Sequence, residues 1–526
     1  MAKKEIKAMH WADQTAQRII AQREKKDKYV LAAGITPSGT IHLGNFREII
    51  TVDLIDKAMK DLGHKTRFIY SWDDYDVFRK VPTNMPKQNM LKEHLRRAIS
   101  DVPDPFDCSH KSYAEHNEKE VEKELPDLNI APEFIYQTKM NKKSAYAEEM
   151  KTALENTGKI KEILNEHRKE PLEESWLPVA IFCEKCGKDT TKSIEYPGGY
   201  ELTYECSCGN KDIFDFRKKG IAKLKWRIDW PARWKYEKVD FESGGKDHFA
   251  AGGSFQTGER ILEEVFKTKI FASIRYEWIS MKGTGQFASS SGIVITLEEM
   301  KQIYEPSIIR WLFASTRPEA EFAISFDLDV LSIYEEFDKC ERIYYMQEEA
   351  DEKEYQKQKR IYELSCIKKP PKEMPFQPGF RHLTNVLQIF EKDLNKTEEF
   401  FKSELKTKED KERLKTRMKC ALNWLEHYAP DDFKFTVQKQ VPAGIQLNDK
   451  QKQALKKVAE LLNKEFKDDK ELHEEMYKIS QEVGLNAKDF FKGAYNVLIN
   501  KEKGPRLASF ILTIGKDKVS KLFEKV

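Results

Sequence analysis

His42 and Asn45 stand three residues apart in the stretch Tyr29–Ile50, YVLAAGITPSGTIHLGNFREII, and share one face of the first turn of a helical pattern. An imidazole and a carboxamide placed this way can donate hydrogen bonds to one anion. Ahead of them the apolar run Val30–Ala33 reads as a buried strand. Gly34, Thr36, Pro37, Ser38 and Gly39 form the turn, and Leu43 and Gly44 open the helix with Ile49, Ile50 and Leu54 at helical spacing. Strand, glycine turn and helix together present backbone N–H groups and a positive helix end to phosphate. The chemistry this suits is nucleotidyl transfer, which depends on positioning and charge stabilisation. Taken alone, His-x-Gly-Asn more often marks an ordinary βα unit with a satisfied histidine.

The elements that must position this turn follow in order. Lys65–Trp72 (KTRFIYSW) reads as a second strand, ending in Asp73 and Asp74. Strand, helix, strand with polar residues at the strand ends predicts a parallel α/β sheet, where ligands sit beyond the carboxyl ends. Asp73 and Asp74 then face a substrate cleft, or else a solvated turn with a helix cap. Trp226, Trp230 and Trp234 recur every four residues, a spacing expected of a packed helix face. VDFESGGKDH reads as a strand ending in a glycine turn, with His248 at the sheet edge and Gly252-Gly253 where backbone approaches a nucleotide closely. FASIRYEWISM reads as one further strand, and it leads into a small-residue loop suited to closing over ATP.

Two stretches carry metal-ligand chemistry. Cys183-x2-Cys186 and Cys206-x-Cys208 are two cysteine hooks flanking a hairpin pattern with a Pro-Gly-Gly turn, the signature of a zinc ribbon, although the second hook is one residue short. Asp104, Cys108, His110 and His116 supply carboxylate, thiolate and two imidazoles, all competent for tetrahedral zinc, at a spacing that matches no common finger. Each set has four protein ligands, so both are assigned structural Zn2+ and no zinc-activated water.

At 526 residues the chain is long enough for two to four domains. A charged fraction of 34% and the lack of any apolar run near the roughly 18 residues of a span exclude a membrane protein. The N-terminus has no signal-peptide pattern, so a cytoplasmic protein is expected. The net charge of +3 is no evidence for nucleic acid, and any basic footprint must be local. Beyond Phe326 strand signals vanish into lysine-rich helical sequence.

PSGTIHLGNFRE resembles the His-Ile-Gly-His signature of class I aminoacyl-tRNA synthetases, with Asn45 in the last position. With SWDDYDVFRKVP, VPDPFDCSHKSYAEH, WRIDWPARW, GGKDHFAAGGS and LFASTRPEAEFAISFDLDVLSIYEEFDKCERIYY, in that order, the chain resembles the class I lysyl-tRNA synthetases. The resemblance implies a Rossmann-type parallel-sheet catalytic domain (1–325) with a zinc-containing acceptor-arm insertion (77–222) and an all-α anticodon-binding domain (326–526). It implies ATP, with Mg2+, activating L-lysine to lysyl-adenylate, followed by transfer to the 3′ end of tRNA(Lys), and a monomer is expected. It also implies a zinc site at Asp104, Cys108, His110 and His116, where Ser109 is one residue more than the family pattern. His42 and Asn45 would contact ATP phosphates. Gly34 and Thr36 would lie at the amino-acid substrate, Trp226, His248 and Tyr276 would wall the lysine side chain, and Asp73 or Asp74 would pair with its ammonium group.

One departure stands out. The family's second signature carries lysines at a flexible serine-rich loop, which here reads Gln286-Phe287-Ala288-Ser289-Ser290-Ser291-Gly292. Gln286 and Ser291 replace both lysines, so the loop keeps only small polar groups for ATP, with Ser289 and Ser290 at the catalytic positions. Lys282 upstream is a partial substitute. Losing one charge contact to a transition state costs about 3–4 kcal/mol. The alternative function is therefore a synthetase-like tRNA-binding protein with impaired activation. A glutamate-specific sibling would need a basic pocket, which the Asp73-Asp74 pair disfavours.

Overall fold

The computed structural model describes residues 10–23, 25–283, 285–286 (backbone) and 294–526. The chain divides into two compact units: one running to Lys301 and including Pro306–Ile324 and Met346–Pro370, the other comprising Gln302–Glu305, Ser325–Tyr345 and Pro371–Val526.

The first unit is built on a five-stranded sheet ordered Ala272–Tyr276, Phe241–Gly245, Tyr29–Ile35, Thr66–Trp72, Glu133–Tyr136. Every pairing is parallel. The expected opening strand is thus the centre of the sheet, flanked on one side by the second and third strands in chain order and on the other by the fourth and fifth. Such a reversal of strand order opens a crevice at the carboxyl ends, the place where open α/β sheets bind ligands. Residues Tyr29–Ala33 are buried, as the uninterrupted apolar run of a central parallel strand requires. The helix Leu43–Asp61 packs Leu43, Phe46, Ile49, Ile50 and Leu54 inward.

Two differences from expectation concern strands. Glu133–Tyr136 is a strand that the sequence pattern does not announce, yet it forms the sheet's edge, held by four residue pairs to the neighbouring strand. A four-residue element has too little periodicity to register. FASIRYEWISM is two strands: Ala272–Tyr276 ends the main sheet, and Ile279–Met281 pairs instead with Phe322–Ile324 and Gly285–Gln286. The hairpin expected between the cysteine hooks is a three-stranded antiparallel sheet, Thr191–Gly198, Glu201–Cys206 and Lys211–Asp215.

Among the described residues the second unit is helical throughout. One of its helices, Lys408–His427, carries Arg417, which is fully buried and bonds both Asp338 oxygens at 2.8 Å and Glu305 Oε1 at 2.6 Å. An apolar core of this unit gathers Leu455, Val458, Leu472, Phe490, Leu498 and Ile511.

Candidate active site

Gly34, near the carboxyl end of the central strand, is where the site begins. A Cβ there would sit 2.8 Å from the Ser71 carbonyl oxygen and 2.9 Å from Ser71 Cβ, so only glycine permits this strand spacing. Gly34 lines two adjoining cavities. The larger, about 830 Å3, runs over Thr36, Ser38, Gly39, Thr40 and Asn45, within the roughly 300–1,000 Å3 span of ligand clefts.

The signature residues cap the helix that they open. His42 is the N-cap of the helix: its Nδ1 accepts from the Gly44 N–H at 3.1 Å, while the His42 N–H donates to Asn45 Oδ1 at 3.1 Å. This reciprocal capping box satisfies the helix's opening N–H groups. It also assigns the tautomer, with the imidazole proton on Nε2. Burial lowers the His42 pKa to about 4, so the ring is neutral near pH 7.

The smaller cavity, about 60 Å3, holds the more informative chemistry. That volume exceeds the roughly 10–15 Å3 needed to hold one water, so the cavity can take a small group. Its walls include Trp226, Trp230 and Trp234 from the helix Trp226–Glu237 together with His248. Trp226 stacks on Trp230 with centroids 4.9 Å apart, and Trp230 meets His248 edge-on at 5.3 Å. The tryptophan face is thus packed, as its spacing predicts, and also lines a cavity.

Four carboxylates (Glu48, Asp73, Glu237 and Glu242) and one guanidinium line it, Glu237 being paired with Arg67. Glu48 accepts from the Gly34 N–H and from the Tyr276 hydroxyl, each at 2.9 Å. Glu242 accepts from Trp230 Nε1 at 2.9 Å and from Trp234 Nε1. Asp73 pairs with Arg233, which reaches both its oxygens. Burial raises Glu48 to about 8 and Glu242 to about 7. Asp74 lines neither cavity. It accepts from the Thr138 N–H at 2.7 Å, and burial raises it to about 6.

The expected site residues sort as follows. Gly34, Asp73, Trp226 and His248 line the smaller cavity; Thr36, Ser38, Gly39, Asn45 and Tyr276 line the larger; Pro37, His42 and Gly44, expected at ATP, line neither. Thr36 Oγ1 donates to Asp76, itself paired with Lys223. His248 Nδ1 lies 2.6 Å from Ser254 Oγ. Gly252 and Gly253 line neither cavity: a Cβ on Gly252 would meet His167 at 2.5 Å and one on Gly253 the His248 carbonyl at 2.4 Å, so both are accounted for by local packing. Phe287, Ala288, Ser289, Ser290 and Ser291 lie outside the described residues, and only the backbone of Gln286 is described. Sequence reasoning missed Glu48, Glu242 and Arg233. Glu48 had a signal, because it lies three residues after Asn45 on the same helix face.

Both metal-competent sets assemble. Cys183 and Cys208 Sγ are 3.7 Å apart, as are those of Cys186 and Cys206. A tetrahedral ion with Zn–S bonds of about 2.3 Å needs edges of about 3.8 Å, so the thiols fit. The ribbon core around them is apolar, with Leu202, Tyr204 and Phe214 buried. At the second set, Cys108 Sγ lies 3.0 Å from His110 Nδ1, 3.4 Å from His116 Nδ1 and 2.6 Å from Asp104 Oδ2, a converging donor set that includes an exposed thiol.

A family model described as tRNA synthetases class I (K) matches residues 9–368. The chain is 48% identical over 524 residues to a lysine–tRNA ligase of Borreliella burgdorferi, covering 99% of this chain and 100% of that one. It is 43% identical to the Treponema pallidum lysine–tRNA ligase, over 98% of both chains. It is 41% identical to that of Thermococcus kodakarensis, covering 98% of this chain and 99% of the relative. With the capped HLGN helix at a parallel-sheet switch point and this similarity along the whole chain, the protein belongs to the class I lysyl-tRNA synthetases.

Proposed function

We propose that the protein is a lysine–tRNA ligase whose lysine side chain is held in the small cavity between the central strand and the tryptophan helix. The observation that carries this reading is the set of acidic groups in that cavity: Glu48, Asp73, Glu237 and Glu242 against one lining guanidinium, Arg233, inside aromatic walls, with Glu237 paired to Arg67. A primary ammonium taken from water needs carboxylate and aromatic partners. A substrate with a carboxylate side chain would meet repulsion. ATP, carrying Mg2+, lies in the larger cavity with its phosphates toward His42 and Asn45. The lysine carboxylate attacks the α-phosphorus, pyrophosphate leaves, and the terminal ribose hydroxyl of tRNA(Lys) then displaces AMP from the acyl carbon.

The insertion, 77–222, receives the acceptor end. Its side of the larger cavity supplies Arg79, Arg168 and Trp176, facing Lys225 and Arg227. Lys225 Nζ lies 4.7 Å over the Trp176 ring, and burial lowers its pKa to about 8. Zinc suits both donor sets and would act structurally. Cys183, Cys186, Cys206 and Cys208 would hold one ion, and Asp104, Cys108, His110 and His116 the other. The helical domain, 326–526, reads the anticodon. A cavity of about 780 Å3 there sets Phe491 among five cations, including Lys488 and Arg506, and three acids, Asp469, Glu474 and Glu502; aromatic and cationic groups of this kind suit single-stranded bases. The protein acts as a cytoplasmic monomer.

Pyrophosphate exchange measured across amino acids tests the reading: exchange must depend on lysine, and exchange driven by glutamate instead would overturn it. A second reading, a tRNA-binding protein impaired in activation, rests on the missing lysines at Gln286 and Ser291. Exchange restored many-fold by Gln286→Lys with Ser291→Lys would favour it.

A further inference from the structure

The Tyr113 side chain is fully buried at the start of the helix Tyr113–Glu122, yet its hydroxyl reaches the active-site turn and donates to the Ser38 carbonyl oxygen at 2.9 Å. Ser38, Gly39 and Thr40 line the larger cavity. Behind them lies a small separate core of Phe78, Met85, Leu91, Ile99, Val102 and Tyr113. The Tyr113 ring packs against Phe78 at 5.2 Å, and its N–H donates to the Val102 carbonyl at 2.9 Å.

The Asp104–His116 donor set adjoins the same small core through Phe106, which packs against it. His116 is one turn along the helix from Tyr113 and stacks on Phe106 at 4.0 Å. Asp104 faces His116 Nδ1 at 3.5 Å and accepts from the Phe106 N–H at 2.9 Å. Four donors from residues 104–116 therefore converge over a core too small to hold that segment alone. An ion tying them would fix the helix start, and with it the Tyr113 hydroxyl.

We infer that Tyr113 is a positioning residue for the Pro37–Ser38–Gly39 turn, and that the Asp104–Cys108–His110–His116 site braces it, so that occupancy of that site sets nucleotide affinity. This rests on the larger cavity being the ATP site. Tyr113→Phe, Asp104→Asn and the double variant would each be assayed for zinc per chain by mass spectrometry. Calorimetry would give the affinities for a non-hydrolysable ATP analogue and for lysine. Tyr113→Phe should keep its zinc and its lysine affinity and bind the analogue roughly five-fold more weakly, the worth of one neutral hydrogen bond. Asp104→Asn should lose one zinc equivalent and weaken the analogue at least as much. The double variant should be no worse than Asp104→Asn, because both act through one contact. Unchanged analogue affinity in Tyr113→Phe overturns the inference. Additive losses in the double variant overturn the coupling to the metal site. A wild-type protein that binds lysine but no analogue would instead refute the ATP-site reading beneath it.

Discussion

The Tyr276 hydroxyl donates to Glu48 Oε2 at 2.9 Å, while the Gly34 N–H donates to Oε1 of the same carboxylate. Both donors stabilise the ionised form, yet burial outweighs them and lifts the pKa to about 8. Glu48 is therefore largely protonated at neutral pH unless a cation stands beside it.

Lysine binding should for that reason release protons. An ammonium beside Glu48 and Glu242 draws both toward ionisation, so each group that is protonated in the free protein gives up its proton. Lysine affinity should rise as pH increases toward about 8. Calorimetry in two buffers of different ionisation enthalpy reads the proton count directly, and a count of zero at pH 7 would exclude the coupling. The sign for stability is opposite. Carboxyls with raised folded pKa values bind more protons folded than unfolded between about 4.5 and 8, so the lysine-free protein should lose stability across that window as pH rises.

Glu48→Gln keeps the shape and removes the charge. Lysine KM in the exchange reaction should rise by roughly ten- to a hundred-fold, the worth of a charge-assisted hydrogen bond of about 1.5–3 kcal/mol, with ATP KM little changed. Tyr276→Phe removes one neutral bond and should cost only several-fold. Equal effects of Glu48→Gln on both substrates would point to collapse of the turn.

Gly34→Ala should destabilise the fold itself. The added methyl meets backbone on the adjacent strand at 2.8 Å, and overpacking of this kind costs about 1–3 kcal/mol. Thermal unfolding should show a lowered Tm even without ligands, whereas a variant with wild-type Tm would mean the strands can separate at no cost.

Zinc analysis of the purified protein should find two equivalents per chain. Cys206→Ser should lose one of them and raise protease sensitivity around the three-stranded ribbon sheet, since Cys206 is itself part of the buried apolar cluster. Retention of both equivalents would exclude the four-cysteine set as a ligand sphere.

Much of this was legible in the sequence because it repeats with a period or a fixed spacing. The central strand is a run of apolar residues, the cysteine hooks have ligand spacing, and the tryptophans mark one helix face. Glu133–Tyr136 escaped because four residues carry no period. Glu48 and Glu242 escaped for a different reason. A carboxylate on a helix or strand reads as solvent-facing, and only the parallel neighbours turn these two inward. Arg233 was hidden likewise, since its partner Asp73 is 160 residues away in the chain. Asp73 and Asp74, indistinguishable as a dipeptide, are separated because the strand ends at Trp72: Asp73 turns to Arg233, while Asp74, in the turn that follows, accepts from the Thr138 N–H.

The reciprocal bonds between His42 and Asn45 bear on any attempt to probe the nucleotide site by mutation. Replacing either residue with alanine uncaps the helix that carries Glu48, so damage spreads from one substrate's seat to the other's. Lost activity in such a variant would confound failed phosphate binding with a frayed scaffold. Trading His42 for asparagine, a competent N-cap without an imidazole, would separate the two roles.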